Sequence, residues 1–397
     1  MQFKQTNIDN TLYAGGIKDT LKENGISDSE WKNTLVIGDV HFGIKNGSVM
    51  WLQSQTGFFR QQVFPIIEKA KELNISHVVM LGDMFDVRAS TNTVVAVEVR
   101  KLMREMHNAA VNNGVSVYVI AGNHDYYSPD AQYKEYNAYN AVFGDDFSPV
   151  IHFITDKPCF ISKVSKSGAI LGEIALLPWY ETSVKENFLN NISYIIEKNK
   201  NGKSIYGAYA HCDMVNATIS DVDTYRALHM ADIPFWSGHV HYIVNHNKLP
   251  LYNVGACMQY TYADADADRF IYIINERENR KVSIKNIVTP KFSVIRDSDL
   301  FGDNIVSLYK ETEFVELDIL KDNVNKKKYV DRIKEIQLAL SESSIRVKTV
   351  FSDTASESEH NVTLYKDIKT YIEESTPDNL KEELSYIKNF IDKSNKL

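Results

Sequence analysis

The sequence predicts an α/β protein of two packed sheets flanked by helices, followed by a small α+β module. Three observations predict it. Apolar runs of strand length alternate with helical stretches over the first 125 residues, and those strands end in Gly-Asp or Gly-Asn turns. Past Ile151 the strand candidates crowd together with fewer helices between them. The length of 397 residues suits more than one domain, since single cores seldom grow beyond about 250–300 residues.

Residues 1–33 are polar and form an N-terminal extension, with a short helix expected around Ile17 to Glu23 that Gly25 ends. "TLVIGDVHFG" is the first strand and turn, and a helix is expected from Phe58 to Leu73. "SHVVMLGD" repeats the pattern, a helix over Val94 to Asn112 follows, and "VSVYVIAGNHD" is the third strand and turn. Next come "IHFIT", "PCFISKV" and "GAILGEIALLPW", a helix near Val184 to Lys198, then "SIYGAYAHCD", "IPFWSGHVH", "LPLYNVGA" and "RFIYIIN". This second set reads as mostly antiparallel. "FVELDIL", a charged helix near Asn325 to Leu340 and "SIRVKTVF" make a small β-α-β unit. After the polar stretch "SDTASESEHN" two helical segments are expected, the last capped by Thr376 with Pro377 at its first position. The division expected is 1–33 extension, 34–287 catalytic domain, 288–352 capping module, and 353–397 linker and C-terminal helices.

Composition excludes several classes. Hydrophobic content of 44% with 24% charged residues is that of a globular protein, and no apolar run approaches the roughly 20 residues of a membrane span. The N-terminal stretch lacks the apolar segment of a signal peptide. The three cysteines are scattered, which fits a reducing cytoplasm rather than a disulfide framework or zinc ribbon. A formal charge of −8 argues against coating nucleic acid by charge alone, but not against phosphate contact through bound cations.

The ends of the strands carry the chemistry: Asp39 and His41 in "GDVHFG", Asp83 and Asp86 in "GDMFD", Asn123, His124 and Asp125 in "GNHD", His211 in "AHCD", and His239 and His241 in "GHVH". Each alone has a plain structural reading, such as a common turn or a helix cap. Together five strands end in hard oxygen donors or imidazoles, and five of the eleven histidines fall in these loops. In open α/β sheets such loops converge on one crevice. Two divalent ions some 3.5–4 Å apart can clamp a phosphate and activate a water, and a carboxylate can bridge them. Mixed imidazole, carboxylate and amide donors suit manganese, iron or zinc, and the lack of thiolates excludes a structural zinc site. The glycine turns are expected to let phosphate approach.

The five motifs in this order resemble the calcineurin-like metallophosphoesterase superfamily over residues 34 to 241. "GDMFDVR", "GNHD" and "LYNVGACMQYTYADADADRFIYIIN" resemble the SbcD family of DNA-repair nucleases and its phage recombination-endonuclease relatives, extending the likeness to about residue 275. Protein phosphatases of the superfamily would have Arg directly after the second Asp and Glu after Asn-His, where this chain has Val87 before Arg88 and Asp125. The resemblance implies a four-layer α/β/β/α sandwich and two divalent ions, Mn2+ expected, with Mg2+ or Fe2+ as alternatives. It assigns Asp39, His41 and His241 to one ion and Asn123, His211 and His239 to the other, with Asp83 bridging. His124 would steady the transition state or protonate the leaving oxygen, Asp86 would orient it, and Arg88 would either contact phosphate or simply cap and solvate.

The function expected is that of a metal-dependent DNA exonuclease or endonuclease, the nuclease subunit of a recombination or repair complex with an SbcC-like coiled-coil ATPase. A homodimer through the first helices follows by analogy, and no membrane partner is expected; the location would be cytoplasmic, in the host if the chain is of phage origin. Two rivals stay open: a phosphoesterase of the same fold acting on nucleotides or phosphoproteins, and a non-catalytic scaffold that binds DNA ends. "ADADAD" lacks the glycine and glutamate of a calcium loop, and "NGKS" lacks the upstream glycine of a nucleotide loop. Trp51, Phe58 and Phe59 read as core packing rather than a base-stacking groove. The stripe Leu380, Leu384, Ile387 and Ile391 would pack on its own domain or grip the ATPase.

Overall fold

The computed structural model describes residues 10–350 apart from 28, 89–90, 129–134, 145, 148, 166, 180–184, 201, 203, 214–221, 247, 311 and 342. The expected C-terminal helices, with Thr376, Pro377 and the Leu380–Ile391 stripe, lie outside the described residues. Two compact units make up the chain, the smaller comprising Ile295–Lys310, Glu316–Ser341 and the chain from Ile345.

The larger unit holds two six-stranded sheets. The first contains β1 (Asn33–Ile37), β2 (Ile75–Met80), β3 (Ser116–Ile120), β4 (Ile151–Ile154), β11 (Phe270–Asn275) and β12 (Arg280–Lys285), in the order β12-β11-β1-β2-β3-β4. The second contains β5 (Cys159–Val164), β6 (Ile170–Leu177), β7 (Ile205–His211), β8 (Phe235–Gly238), β9 (Val244–Asn245) and β10 (Leu251–Asn253), in the order β5-β6-β7-β8-β10-β9.

Strand composition explains the layering. Along β1, Leu35 and Ile37 pack outward against helices while Val36 faces the second sheet. Val78 and Val117 repeat the outward half, Val79 and Tyr118 the inward half. On β7, Ala208 and Ala210 face the outer helices and Tyr209 the space between sheets. A strand buried on both faces must be apolar at every position, which is why these segments are continuous apolar runs. Each large aliphatic side chain so buried contributes roughly 1.5–3 kcal/mol. The layers are therefore helix, sheet, sheet, helix, as the resemblance implied.

The outer helix Thr93–Asn113 begins where Asn92 accepts the Val94 amide at 2.8 Å and ends at Gly114 in the left-handed region, φ 66°. It buries Val95, Val99, Leu102, Met103, Met106 and Ala110, one helical stripe. The helix expected at 58–73 starts and ends earlier. It runs over Val49–Phe58, passes through a π turn at Phe59–Val63 and ends with Phe64–Glu68. Pro65 cannot donate to the turn before it, and the π turn lies directly ahead of it, closed by the Phe64 amide on the Phe59 carbonyl. The first helix is longer than expected, Asn10–Glu23. Trp51, Phe58 and Phe59 are all core residues; Trp51 stacks on Phe314 with ring centroids 5.6 Å apart.

One topological expectation fails. Past Ile151 the strands are largely parallel: β4 pairs parallel with β3, and β6-β7, β7-β8 and β8-β10 are all parallel. The antiparallel pairs of the second sheet are the outer ones, β5-β6 and β10-β9. "RFIYIIN" returns to the first sheet as β11, antiparallel to β1. Parallel neighbours need a crossover of a dozen or more residues, supplied here by the helices Lys185–Asn199 and Val222–Ala231. The second of these was not foreseen.

At the end of the sheets away from the strand carboxyl termini lies a buried polar knot. Glu276 accepts from Trp31 Nε1 at 2.6 Å, from Tyr209 Oη at 2.8 Å and from Thr34 Oγ1, and lies 3.5 Å from Lys163 Nζ. Lys163 donates to the Lys32 carbonyl at 3.0 Å and to Thr34 Oγ1 at 2.7 Å.

A three-stranded sheet, β13-β14-β15 (Phe292–Arg296, Phe314–Leu320, Ser344–Val350), has its residues from Ile295, Glu316 and Ile345 onward in the smaller unit, which also holds the helix Lys327–Ala339 with Tyr329, Ile333 and Ile336 buried. Among the described residues no helix is long and apolar enough to cross a membrane.

Candidate metal centre

Five strands of the larger unit, β1, β2 and β3 from one sheet and β7 and β8 from the other, deliver their carboxyl ends to one place. Asp39 and His41 follow β1, Asp83 follows β2, Asn123 and His124 follow β3, His211 ends β7, and His239 and His241 follow β8. Three of these residues, His41 (φ 51°), Asp83 (φ 45°) and His239 (φ 82°), adopt left-handed backbone, a conformation that costs about 1–3 kcal/mol and collects at functional sites.

The side chains sort into two groups that share a centre. His41 Nε2 lies 2.9 Å from His241 Nε2, and His241 Nε2 lies 3.9 Å from Asp39 Oδ2. On the other side the Asn123 carboxamide lies 3.0 Å from His211 Nε2 and 2.8 Å from His239 Nδ1. Between them Asp83 turns one oxygen to each group, Oδ2 at 3.8 Å from His41 Nε2 and Oδ1 at 3.3 Å from His211 Nε2. Asp39, His41 and His241 form one cluster of metal-ligand spacing, Asp83, His211 and His239 another, and His41, Asp86 and His124 a third.

The donor chemistry fits cations. His211 Nδ1 lies 2.7 Å from the Leu81 carbonyl, and only a protonated Nδ1 can bond there, so the neutral ring presents a lone pair at Nε2. That lone pair faces Asp83 Oδ1 at 3.3 Å, which is an acceptor too. Lone pairs converging on one point need a positive charge between them, a proton or a metal ion. Without metal the centre holds protons instead. Burial opposes charge on His211, but the Asp83 and Asp39 carboxylates raise it to about 9. Burial raises Asp39 to about 7 against the pull of His211, and burial with the His41 charge pushes His241 down to about 4. Asp83 is buried, yet the neighbouring imidazoles hold it below the usual carboxylate range.

Two of the turn glycines have a use within the centre. A Cβ on Gly122 would lie 2.2 Å from Asp83 Oδ1, and one on Gly82 would lie 2.3 Å from His211 Nδ1. These positions make room for the side chains of the centre itself.

His124 stands beside the ligand groups, its ring 5.0 Å from that of His41. Its amide donates to Asp83 Oδ1 at 2.8 Å and its Nδ1 meets the Asp86 main-chain carbonyl at 2.5 Å. The Asp86 contact to His124 in hydrogen-bond reach is thus main-chain, and the carboxylate lies 3.5 Å from His41 Nδ1. Arg88 is exposed, with a guanidinium nitrogen 2.8 Å from the Asn123 carboxamide.

Asp125, for which the motif alone implied no role, joins two of the loops. Its buried carboxylate accepts from the Gly122 amide at 2.8 Å, the Phe85 amide at 3.0 Å and Tyr139 Oη at 2.7 Å. A carboxylate directly after Asn-His was the available signal; Tyr139, fourteen residues on, offered none.

With this geometry in place the comparison with known families is decisive. Residues 32–252, more than half of the 397, match the model of the calcineurin-like phosphoesterases, and the chain belongs to that family. No curated protein matches it. The fold, the clusters and the family together define a metal-dependent phosphoester hydrolase.

Proposed function

We propose that this hydrolase is a DNA nuclease of the SbcD type, cutting phosphodiester bonds with two Mn2+ ions as the nuclease subunit of a recombination or repair complex. Its partner would be a coiled-coil ATPase. Asp39, His41 and His241 would hold one cation, Asn123, His211 and His239 the other, with Asp83 shared. When bound, such a pair supplies charge to neutralise the phosphate and lowers the pKa of a water.

The observation that carries the reading is the placement of His124. A diester's leaving alkoxide needs a proton. His124 is the imidazole of the centre that belongs neither to the Asp39–His41–His241 group nor to the Asp83–His211–His239 group, lying instead within ligand distance of His41 and Asp86. Its Nδ1 is committed to the Asp86 carbonyl, so Nε2 is the atom that gains and loses the mobile proton. Arg88, at the rim and 2.8 Å from Asn123, is the cation available to a phosphate oxygen. The DNA substrate is supported by the motif likeness, with "GDMFDVR" and "GNHD" departing from the phosphatase pattern.

The net charge of −8 favours a second reading, a phosphoesterase for small substrates. Cleavage of end-labelled linear DNA, with and without Mn2+, tests both. Manganese-dependent cutting that falls about 10²–10⁴-fold in His124→Ala, with metal content unchanged, is the outcome expected. Faster turnover of a phosphomonoester or nucleotide than of DNA would establish the second reading instead.

A further inference from the structure

Beneath the loop that carries Asp39 and His41, two buried side chains grip the main chain. Gln55, on the Val49–Phe58 helix and fully buried, donates through Nε2 to the carbonyls of Val40 at 2.7 Å and His41 at 2.8 Å. Tyr260, also buried, gives its hydroxyl to the carbonyls of Asp39 at 2.9 Å and Val40 at 2.6 Å. Three successive carbonyls of a ligand loop are held by side chains from two distant parts of the chain rather than by a sheet ladder.

Two features mark this as more than packing. Gln55 turns its amide to the loop although Oε1 is left buried without a hydrogen-bond partner among the described residues, an arrangement that costs about 1–3 kcal/mol. The loop it holds includes His41 at φ 51°, a backbone that relaxes unless its surroundings fix it. The Tyr260 ring then packs on the imidazoles above, 5.5 Å from His41 and 5.7 Å from His241. The other ligand group is anchored differently, through His211 on the Leu81 carbonyl and Asp125 on the Gly122 and Phe85 amides.

We propose that Gln55 and Tyr260 are positioning residues for one half of the cation pair. They fix the backbone that aims Asp39 and His41, and so set the affinity of the Asp39–His41–His241 site while leaving the Asn123–His211–His239 site largely alone. The inference rests on the reading that the centre takes two cations.

The test titrates the metal-free full-length chain with Mn2+ by calorimetry and follows the electron paramagnetic resonance spectrum. The native chain is expected to bind two ions and to give the spectrum of a coupled pair. Tyr260→Phe and Gln55→Met are expected to weaken one ion about 10–100-fold, the usual cost of losing an outer partner, while the other holds within about twofold. At a concentration that saturates the native pair, the variants would then show an isolated Mn2+ signal. Thermal unfolding of the metal-free variants controls for folding, and Tyr260→Phe, which removes one hydroxyl, carries the test if Gln55→Met fails to fold. Unchanged binding in Tyr260→Phe, or equal weakening of both ions, overturns the proposal. No Mn2+ uptake by the native chain overturns the two-cation reading itself, and the proposal with it.

Discussion

At Gly122 the volume of a side chain is already taken. A methyl group there would sit 2.2 Å from the Asp83 carboxylate and 2.3 Å from its backbone nitrogen, neither of which is the free end of a flexible chain. Gly122→Ala is therefore expected to displace Asp83 and to cost about 1–3 kcal/mol from overpacking. Because Asp83 faces both ligand groups, uptake of both ions should fall, read as metal content after dialysis. Gly114→Ala is the comparison: its φ is also positive, 66°, but no atom lies within 4 Å, so it should keep its metal at a strain cost of roughly 1 kcal/mol. Asp86→Asn separates two further contacts. Its carbonyl to His124 survives the change while the charge near His41 is lost, so metal uptake should weaken and the pH–rate profile should keep its shape. An altered limb of that profile would place the carboxylate in proton transfer instead. The residues brought together here were legible in the sequence because each ends an apolar strand. The supports were not: Gln55 lies mid-helix and Tyr260 inside the long stretch 251–275, where nothing singles it out, and a hydrogen bond to a distant carbonyl leaves no periodicity behind it.

The elements were legible in kind and less so in connection. Nearly every strand expected from an apolar run is present, since a strand buried on both faces must be apolar throughout. Pairing direction is not written in such runs. It follows from the length of the connections, and the helix Val222–Ala231 between β7 and β8 was not among the expected elements, so its crossover and the parallel pairing it permits were missed. The knot at the far end of the sheets was missed for a related reason: Trp31 and Thr34, Lys163, Tyr209 and Glu276 come from four separate segments. Burial holds Lys163 below the ordinary lysine value even though Glu276 opposes the shift. Removing one partner of such a buried pair typically costs about 3–5 kcal/mol, because the other charge is left alone. Lys163→Met should show a loss on that scale in denaturant unfolding. Adding Glu276→Gln should recover part of it, since a neutral amide still accepts from Trp31 and Tyr209. A double variant weaker than the single one would show that the carboxylate's charge, not its acceptors, is what those donors need.

For the molecule as a whole, protons and metal ions compete for one centre, and the competition sets how stability depends on pH. In the metal-free chain Asp39 is raised to about 7 and His211 to about 9. Both groups bind protons more tightly folded than unfolded, so each stabilises the fold at low pH. The Asp39 contribution is lost as pH rises from its unfolded value near 4 through 7, and the His211 contribution between about 6.5 and 9. The metal-free protein should therefore lose stability steadily from pH 6 to pH 9. Bound ions need these groups deprotonated, so their affinity rises over the same range. An ion at a hundredfold excess over its dissociation constant adds about 2.7 kcal/mol, and more as that constant falls. The gap in melting temperature between manganese-loaded and chelator-treated protein is thus expected to widen from pH 6 to pH 9, measured by paired thermal scans at constant ionic strength. A gap that stays flat or narrows would mean that the ions do not displace these two protons, and would move the binding site away from Asp39 and His211.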